Sequence, residues 1–213
     1  AFVSDLLHAA GVREIRPTQT ARTGDATRAA LAAVAQGSDL VLVWGGDGTV
    51  NEVAGVLVGR GVALGIVPGG SGNGLARGLG LPLGVEQAVR VALHGAARTI
   101  DTGLVAGRTF LNLAGIGFDA AVAARVNTAN PTRGLRPYLL GVVQEWRTCP
   151  PHEFTIRVDD GVPRVVEAHL VVVCNGQQYG HGARVAPHAS LEDGWLDVVT
   201  VPPITGGRLL RHG

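Results

Sequence analysis

The sequence contains no lysine: all 18 basic residues are arginine. A phosphate loop of the Walker type needs a Gly-Lys-Ser/Thr step, so that route to nucleotide binding is excluded. Any phosphate held here must be held by backbone N–H groups, by arginine or by a metal ion. Methionine is absent as well, and from this we expect the chain to lack the first residues of its gene product. Cysteine is scarce: Cys149 and Cys174 are the only two. They match no zinc spacing and no dense disulfide framework, so a reducing cytoplasm is the expected compartment. No apolar run approaches the ~20 residues needed to cross a bilayer, and what is present holds no signal peptide. Net charge is low too. At +1 there is no broad electrostatic case for nucleic acid as a partner.

What is present is apolar material and glycine. With 46% hydrophobic residues over 213 positions, the chain suits one large domain or two small ones with a sizeable core. The stretch that organises it is Val-Leu-Val-Trp-Gly-Gly-Asp-Gly-Thr-Val-Asn-Glu over residues 41–52. An apolar run stops at three glycines around Asp47, and a polar segment then opens a new periodic stretch. This reads as a buried strand, a tight turn and a helix N-terminus. Glycine permits positive φ and close approach of a ligand to the backbone. The first N–H groups of the helix lack intrahelical partners, which makes the turn ready for phosphate. Asp47 would repel that phosphate unless a cation lies between them, and the conflict points to a nucleotide bound together with Mg²⁺. Taken alone, Gly-Gly-Asp-Gly is equally compatible with ordinary turn chemistry.

The first half alternates strand and helix. Helices are expected over 2–10, 25–36, 50–58 and 85–93, and strands over 12–16, 40–44 and 62–67. Gly37, Gly59 and Gly95 serve as stops. Such alternation argues a parallel sheet with crossover helices, whose ligands bind at the carboxyl ends of the strands. A second glycine-rich loop, Pro-Gly-Gly-Ser-Gly-Asn-Gly over 68–74, follows the 62–67 strand. Two such loops at the ends of neighbouring strands make a plain linker a poor explanation. Ser71 and Asn73 supply hydrogen-bonding side chains there, whereas Arg77 reads as a solvated arginine.

The texture changes near Arg98. A hairpin is expected over 98–114, turning at Ala106-Gly107. Helices are expected over 117–126 and 139–146. A second hairpin should join 154–158 to 165–174 through Asp159-Asp160-Gly161, and its 170–174 segment should be buried on both faces. A last strand is expected over 194–201. The reading is therefore two domains. Residues 1–97 form a Rossmann-like α/β domain, and 98–213 form a domain of mainly antiparallel β.

These residues resemble the diacylglycerol kinase catalytic domain family, which includes sphingosine and ceramide kinases and bacterial soluble lipid kinases. Three motifs carry the resemblance. They are Gly-Gly-Asp-Gly-Thr-Val-Asn-Glu at 45–52, Pro-Gly-Gly-Ser-Gly-Asn-Gly-Leu-Ala at 68–76, and Asn175-Gly176 with the block from Ala186 to Val198. The segment 112–119 adds weaker support, and the first motif alone is shared with NAD kinases. The resemblance implies a Rossmann-like domain followed by a β-rich domain, with the active site in the cleft between. It implies ATP- and Mg²⁺-dependent phosphorylation of a lipid hydroxyl, of the diacylglycerol or sphingosine kind.

Carried over residue by residue, the nucleotide site is Thr20, Gly45, Gly46, Asp47, Gly48, Thr49, Val50, Asn51 and Ser71. Asp47 is the catalytic carboxylate that organises Mg²⁺. A second Mg²⁺ site falls on Ser190, Asp193 and Trp195, the first and last through backbone carbonyls. The family's opening strand and Asn-Pro loop have no counterpart here. Nor has its late acidic segment, so the general base is expected beyond Gly213 and the chain is expected to be an internal fragment. Leu139, Leu140, Val142, Val143 and Trp146 are candidates for a lipid pocket, although apolar residues at helical spacing are more often core. The protein should be cytoplasmic, meet its lipid transiently at a membrane surface, and have exposed β edges open to homodimer formation. The competing expectations are an NAD kinase-like or other small-molecule kinase, and a non-catalytic nucleotide- or lipid-binding regulator.

Overall fold

The computed structural model describes residues 2–117, 150–178 and 184–203. Contacts divide the chain into two units, and the division is not a single cut. The first unit is Ala1–Leu113 together with Asn175–Leu196; the second is Ala114–Cys174 with Asp197–Gly213.

The first unit is built as expected from alternating helix and strand. Helix α1 is Phe2–Ala9 and α2 is Asp25–Ala35; strand β1 is Leu40–Gly45, followed by α3, Asp47–Leu57. Strand β2 is Ala63–Pro68, and helices α4, Gly74–Gly78, and α5, Val85–His94, come next. Gly37 ends α2 with φ 72°. Its N–H donates to Val34 O and that of Ser38 to Ala33 O, the paired bonds of a Schellman stop. Strands β1 and β2 run parallel, with Val43 opposite Ile66 and Gly45 opposite Pro68.

Alternation along these strands feeds two cores. Val43 and Ile66 join Ala30, Val50, Val53 and Leu57 on the α2/α3 face. Val67 joins Leu7, Ala88 and Val89, with Leu42 packed against them, on the α1/α5 face. The sheet is thus covered by helices on both sides, which is why its strands read as unbroken apolar runs. Gly65 is where α5 comes closest: a Cβ there would stand 2.9 Å from Cβ of Ala92. A short antiparallel hairpin completes this unit, β3 Gly103–Val105 with β4 Arg108–Phe110. Its two-residue turn has φ 47° at Ala106 and 75° at Gly107, the positive pair of a type I′ turn.

In the second unit β5, Leu113–Gly117, β8, Leu170–Cys174, and β9, Asp197–Val201, form one sheet in the order β5-β8-β9. Strands β6, His152–Ile156, and β7, Arg164–Ala168, form a separate antiparallel pair. Val171, Val172 and Cys174 are buried, as a central strand requires.

Several expectations are corrected. Residues 12–16 form no strand; Val12 and Ile15 pack against the α1/α5 core without entering a ladder. The arm expected over 165–174 breaks at His169 into β7 and β8, which belong to different sheets. The last strand begins at Asp197, because residues 190–195 are folded into turns by their own side chains. Gly117 ends β5 with φ 93°. The remainder of the helix expected over 117–126, the whole of that over 139–146 with Leu139, Leu140, Val142, Val143 and Trp146, and Cys149 all lie outside the described residues.

Candidate active site

The first glycine turn and the second are built against each other. The N–H of Gly69 donates to Gly45 O at 2.9 Å. A Cβ on Gly70 would stand 2.6 Å from Cα of Gly46, so glycine is needed for the approach itself. Helix α3 begins at Asp47, inside the turn, with Gly46 as an N-cap that offers no side chain. The first bond of the helix runs from Val50 N–H to Gly46 O. That leaves the first N–H groups of α3 without intrahelical acceptors at the carboxyl end of β1. The side chain of Thr49 leans over Gly45, with Oγ1 3.2 Å from where a Cβ would be.

The Asp47 carboxylate does not hang free. Its Oδ2 accepts the N–H of Gly74 and its Oδ1 that of Leu75, both at 3.1 Å. It thereby ties the start of α3 to the start of α4. Asn73 sets this up: it takes φ 50°, and its amide bonds both N–H and C=O of Gly70. The sequence identified Asn73 as a hydrogen-bonding residue without giving it this role. Asparagine between glycines is, however, a usual occupant of left-handed backbone.

One turn along α3, Asn51 faces the hairpin. Its Nδ2 donates to Thr109 O at 2.7 Å, and its Oδ1 accepts the Leu111 N–H at 3.1 Å. Between Asp47 and Asn51 lies a cavity of about 310 Å³. Its lining combines polar residues, Asp47, Asn51 and Asn112, with apolar ones, Leu75, Phe110, Leu111 and Leu113. Phe110 and Leu111 carried no sequence signal for this role, since their place depends on contacts with a helix some sixty positions earlier.

Thr20 and Ser71 are exposed. Thr20 lies on the loop before α2, whose backbone is gathered by Asp25: its Oδ2 accepts the N–H groups of Ala21 and Arg22. Those two bonds, with the nearby Arg28 charge, hold the Asp25 carboxyl below its ordinary pKa. Glu52, in the first motif, accepts the Gly24 N–H and so anchors the same loop to α3.

Ser190, Asp193 and Trp195 are brought together in one exposed turn. Ser190 Oγ accepts the Glu192 N–H, and Asp193 Oδ1 accepts the Trp195 N–H. Asp101, which the sequence did not single out, fixes the turn from outside: its Oδ2 accepts the Gly194 N–H at 2.7 Å. Arg98 pairs with Glu192 at 2.7 Å, which lowers the Glu192 pKa and raises that of Arg98. No cluster of three histidine, cysteine or acidic side chains occurs among the described residues. A cation here would be held by one carboxylate and backbone carbonyls, an all-oxygen donor set of the kind Mg²⁺ accepts.

Comparisons with known proteins point to one family. Residues 2–105 match the diacylglycerol kinase catalytic domain. Residues 112–212 match the YegS C-terminal NAD kinase beta sandwich-like domain. A Chromohalobacter salexigens protein described as "Probable lipid kinase YegS-like" is 37% identical over 197 residues, covering 89% of this chain and 62% of that protein. A diacylglycerol kinase of Mycobacterium tuberculosis is 34% identical over 193 residues, with 88% and 62% covered. The chain thus spans about 62% of the length of these curated relatives. Among solved structures, a diacylglycerol kinase from Bacillus anthracis superposes with a TM-score of 0.70 at 30% identity, over 93% of this chain and 68% of that one. Interlocked glycine turns, their shared aspartate and matches along nearly the whole chain place it: the chain belongs to the diacylglycerol kinase catalytic domain family.

Proposed function

We propose that the protein transfers the γ-phosphoryl group of ATP to the hydroxyl of a lipid such as diacylglycerol or a sphingoid base. The observation that carries this reading is the mixed lining of the cavity beside Asp47: a carboxylate and two asparagines together with four apolar side chains. That lining suits an acceptor that is polar at its reacting hydroxyl and apolar immediately behind it. The names of relatives point the same way: one is called a diacylglycerol kinase and another a lipid kinase.

In this reading Gly45, Gly46, Gly48, Thr49 and Val50 cradle the triphosphate with backbone N–H groups, and Thr20 and Ser71 complete the nucleotide site. Asn51, in the same motif, engages Thr109 O and the Leu111 N–H with its amide. Each Asp47 oxygen already accepts one N–H bond and retains acceptor capacity for a cation. Mg²⁺ bound there neutralises charge on the transferring phosphoryl group. The second Mg²⁺ falls to Asp193 with the carbonyls of Ser190 and Trp195. The division of labour is nucleotide binding by residues 1–97 and lipid binding by 98–213. Among the described residues no helix is long and apolar enough to cross a membrane; transient contact with a bilayer surface from the cytoplasm is part of the same proposal. A homodimer through exposed sheet edges belongs to the same reading.

A second reading has one specific support. The 112–212 match is to a domain described as NAD kinase-like in its β sandwich, which makes NAD an alternative acceptor. One experiment separates them. The protein is incubated with γ-labelled ATP, Mg²⁺ and either NAD or vesicles carrying diacylglycerol, sphingosine, ceramide or phosphatidylglycerol. Label in one extracted lipid, absent with Asp47→Ala, is the expected result and names the substrate. Label in NADP replaces the lipid reading with the second. Nucleotide binding without transfer to any acceptor leaves a regulatory role.

A further inference from the structure

We infer that Asn51 and Asn175 are positioning residues for the acceptor: one holds the Leu111 N–H and the other its C=O, and together they fix this residue of the cavity lining relative to Asp47. The inference rests on the proposed transfer to a lipid hydroxyl and adds to it which residues set the acceptor's position.

The two asparagines come from opposite ends of the fold's sequence and meet on one residue. The Leu111 N–H donates to Asn51 Oδ1 at 3.1 Å. The Leu111 carbonyl accepts Asn175 Nδ2 at 2.7 Å. Each asparagine then takes a second hold on the neighbouring chain. Asn51 Nδ2 donates to Thr109 O, and Asn175 Nδ2 donates to Asp101 O, both at 2.7 Å. The next residue is gripped as well: Asn112 O accepts the N–H groups of Asn175 and Gly176 at 2.8 and 2.9 Å. Gly176 admits this approach only because it lacks a Cβ, which would stand 2.1 Å from Asn112 Oδ1.

Asn175 is fully buried, and its Oδ1 has no hydrogen-bond partner among the described residues. An apolar side chain after the run Leu170–Cys174 would be buried at less cost. The amide is therefore explained by what its nitrogen holds, not by its own burial. Asn51 stands four residues after Asp47 on α3, one turn along the same helix face. Asp47 faces α4 from that helix and Asn51 faces the hairpin. The helix thus sets the spacing between two residues of the cavity lining, Leu75 and Leu111. A misplacement of about 1 Å at a reacting centre costs roughly 100-fold in rate, so the clamp matters to transfer even though it touches neither phosphate nor acceptor.

The test uses the full chain with Asn51→Ala, Asn175→Ala and the double variant, assayed with ATP and vesicles of the lipid that the wild type phosphorylates. The expected result is a fall of roughly 100-fold in kcat/KM for the lipid in each single variant, the loss expected of a misplaced reacting group, with KM for ATP unchanged. The double variant should lose little more than either single one, because both release the same residue, Leu111. A KM for ATP that rises as far as the lipid KM would make Asn51 a nucleotide contact and overturn the inference. So would losses that multiply in the double variant. Amide hydrogen exchange gives a readout free of activity. In Asn51→Ala, exchange at Leu111 should accelerate while Val53 and Ala54 within α3 stay protected; an unchanged Leu111 amide overturns the clamp. Should Asn175→Ala fail to fold, Asn51→Ala carries the test alone through its KM split and its exchange pattern. A wild type that labels no lipid would refute the proposed function, while the exchange experiment would still judge the clamp.

Discussion

Asp47 and Asp193 each precede a glycine, and each carboxylate accepts backbone N–H bonds, yet they do opposite things. Asp47 reaches across the fold to Gly74 and Leu75. Asp193 turns back to Trp195, two residues on. The first bond pair joins two helices and both glycine loops; the second shapes only its own turn. The difference lies in what precedes the aspartate. Asp47 opens an eleven-residue helix at the end of strand β1, so its side chain is aimed by the sheet. Asp193 lies on an exposed loop and closes the nearest ring available, as aspartate does in turns. The same dipeptide is a long-range tie in one place and a local stop in the other.

Activity should separate the two most strongly. Under the proposed chemistry Asp47→Ala removes the carboxylate that would hold Mg²⁺ at the phosphates, and lipid phosphorylation should fall by roughly 1,000-fold. Asp193→Ala should cost about 10-fold, the scale of a supporting metal-site change. Label transfer from γ-labelled ATP measures both. Equal losses would erase the distinction. Backbone substitution sharpens the comparison next. Gly70→Ala drives a Cβ into the Gly46 backbone and should destabilise by about 2–3 kcal/mol, as overpacking does. Gly194→Ala meets nothing within 4 Å. It pays only for φ 77°, about 1 kcal/mol. Urea unfolding of the two variants decides the order.

A smaller effect is expected at the turn's outer support. Asp101→Asn keeps an oxygen for the Gly194 N–H but removes its charge, and should cost about 0.5–1 kcal/mol. If instead it cost more than Gly70→Ala, the 190–195 turn would be as deeply wired into the fold as the glycine loops are.

Asp25 supplies the smallest effect and an internal control, since it is another carboxylate holding two successive N–H groups. Its folded pKa lies below the ordinary value near 3.8. The folded state thus binds this proton less readily than the unfolded state. The contribution is fully present above the ordinary value and is lost as pH falls through the folded one. Asp25→Asn should therefore lower the melting temperature slightly at neutral pH, and the gap should close in acid. A gap that widens in acid would reverse the sign of this argument.

Much of the first unit was legible because its signals are local. Apolar runs became β1 and β2, glycine at position 37 stopped α2, and Ala106-Gly107 turned a hairpin. The glycine loops were recognisable as a pair, but their contact was not, because it depends on the parallel register that sets Gly45 opposite Pro68. The tie from Asp47 to α4 was invisible for the same reason, as were the holds of Asn51 and Asn175 on Leu111. Residues 12–16 have strand composition but no ladder, and β propensity without a partner decides nothing. The division at His169 was missed because an unbroken apolar run contains no mark of which sheet each part will join.

The return of Asn175–Leu196 to the first unit bears on the order in which the protein is made. Leu191 belongs to the same core as Val43 and Val50, and Asn175 closes on Leu111. On a ribosome adding roughly 5–20 residues per second, the α/β unit emerges several seconds before the segment that finishes its core and fixes its cavity wall. During that interval Leu111 has Asn51 but not Asn175. The nascent chain thus passes through a stage in which both glycine turns exist and the hold of Asn175 on Leu111 does not, a window in which a chaperone or a bound nucleotide would have the most to stabilise.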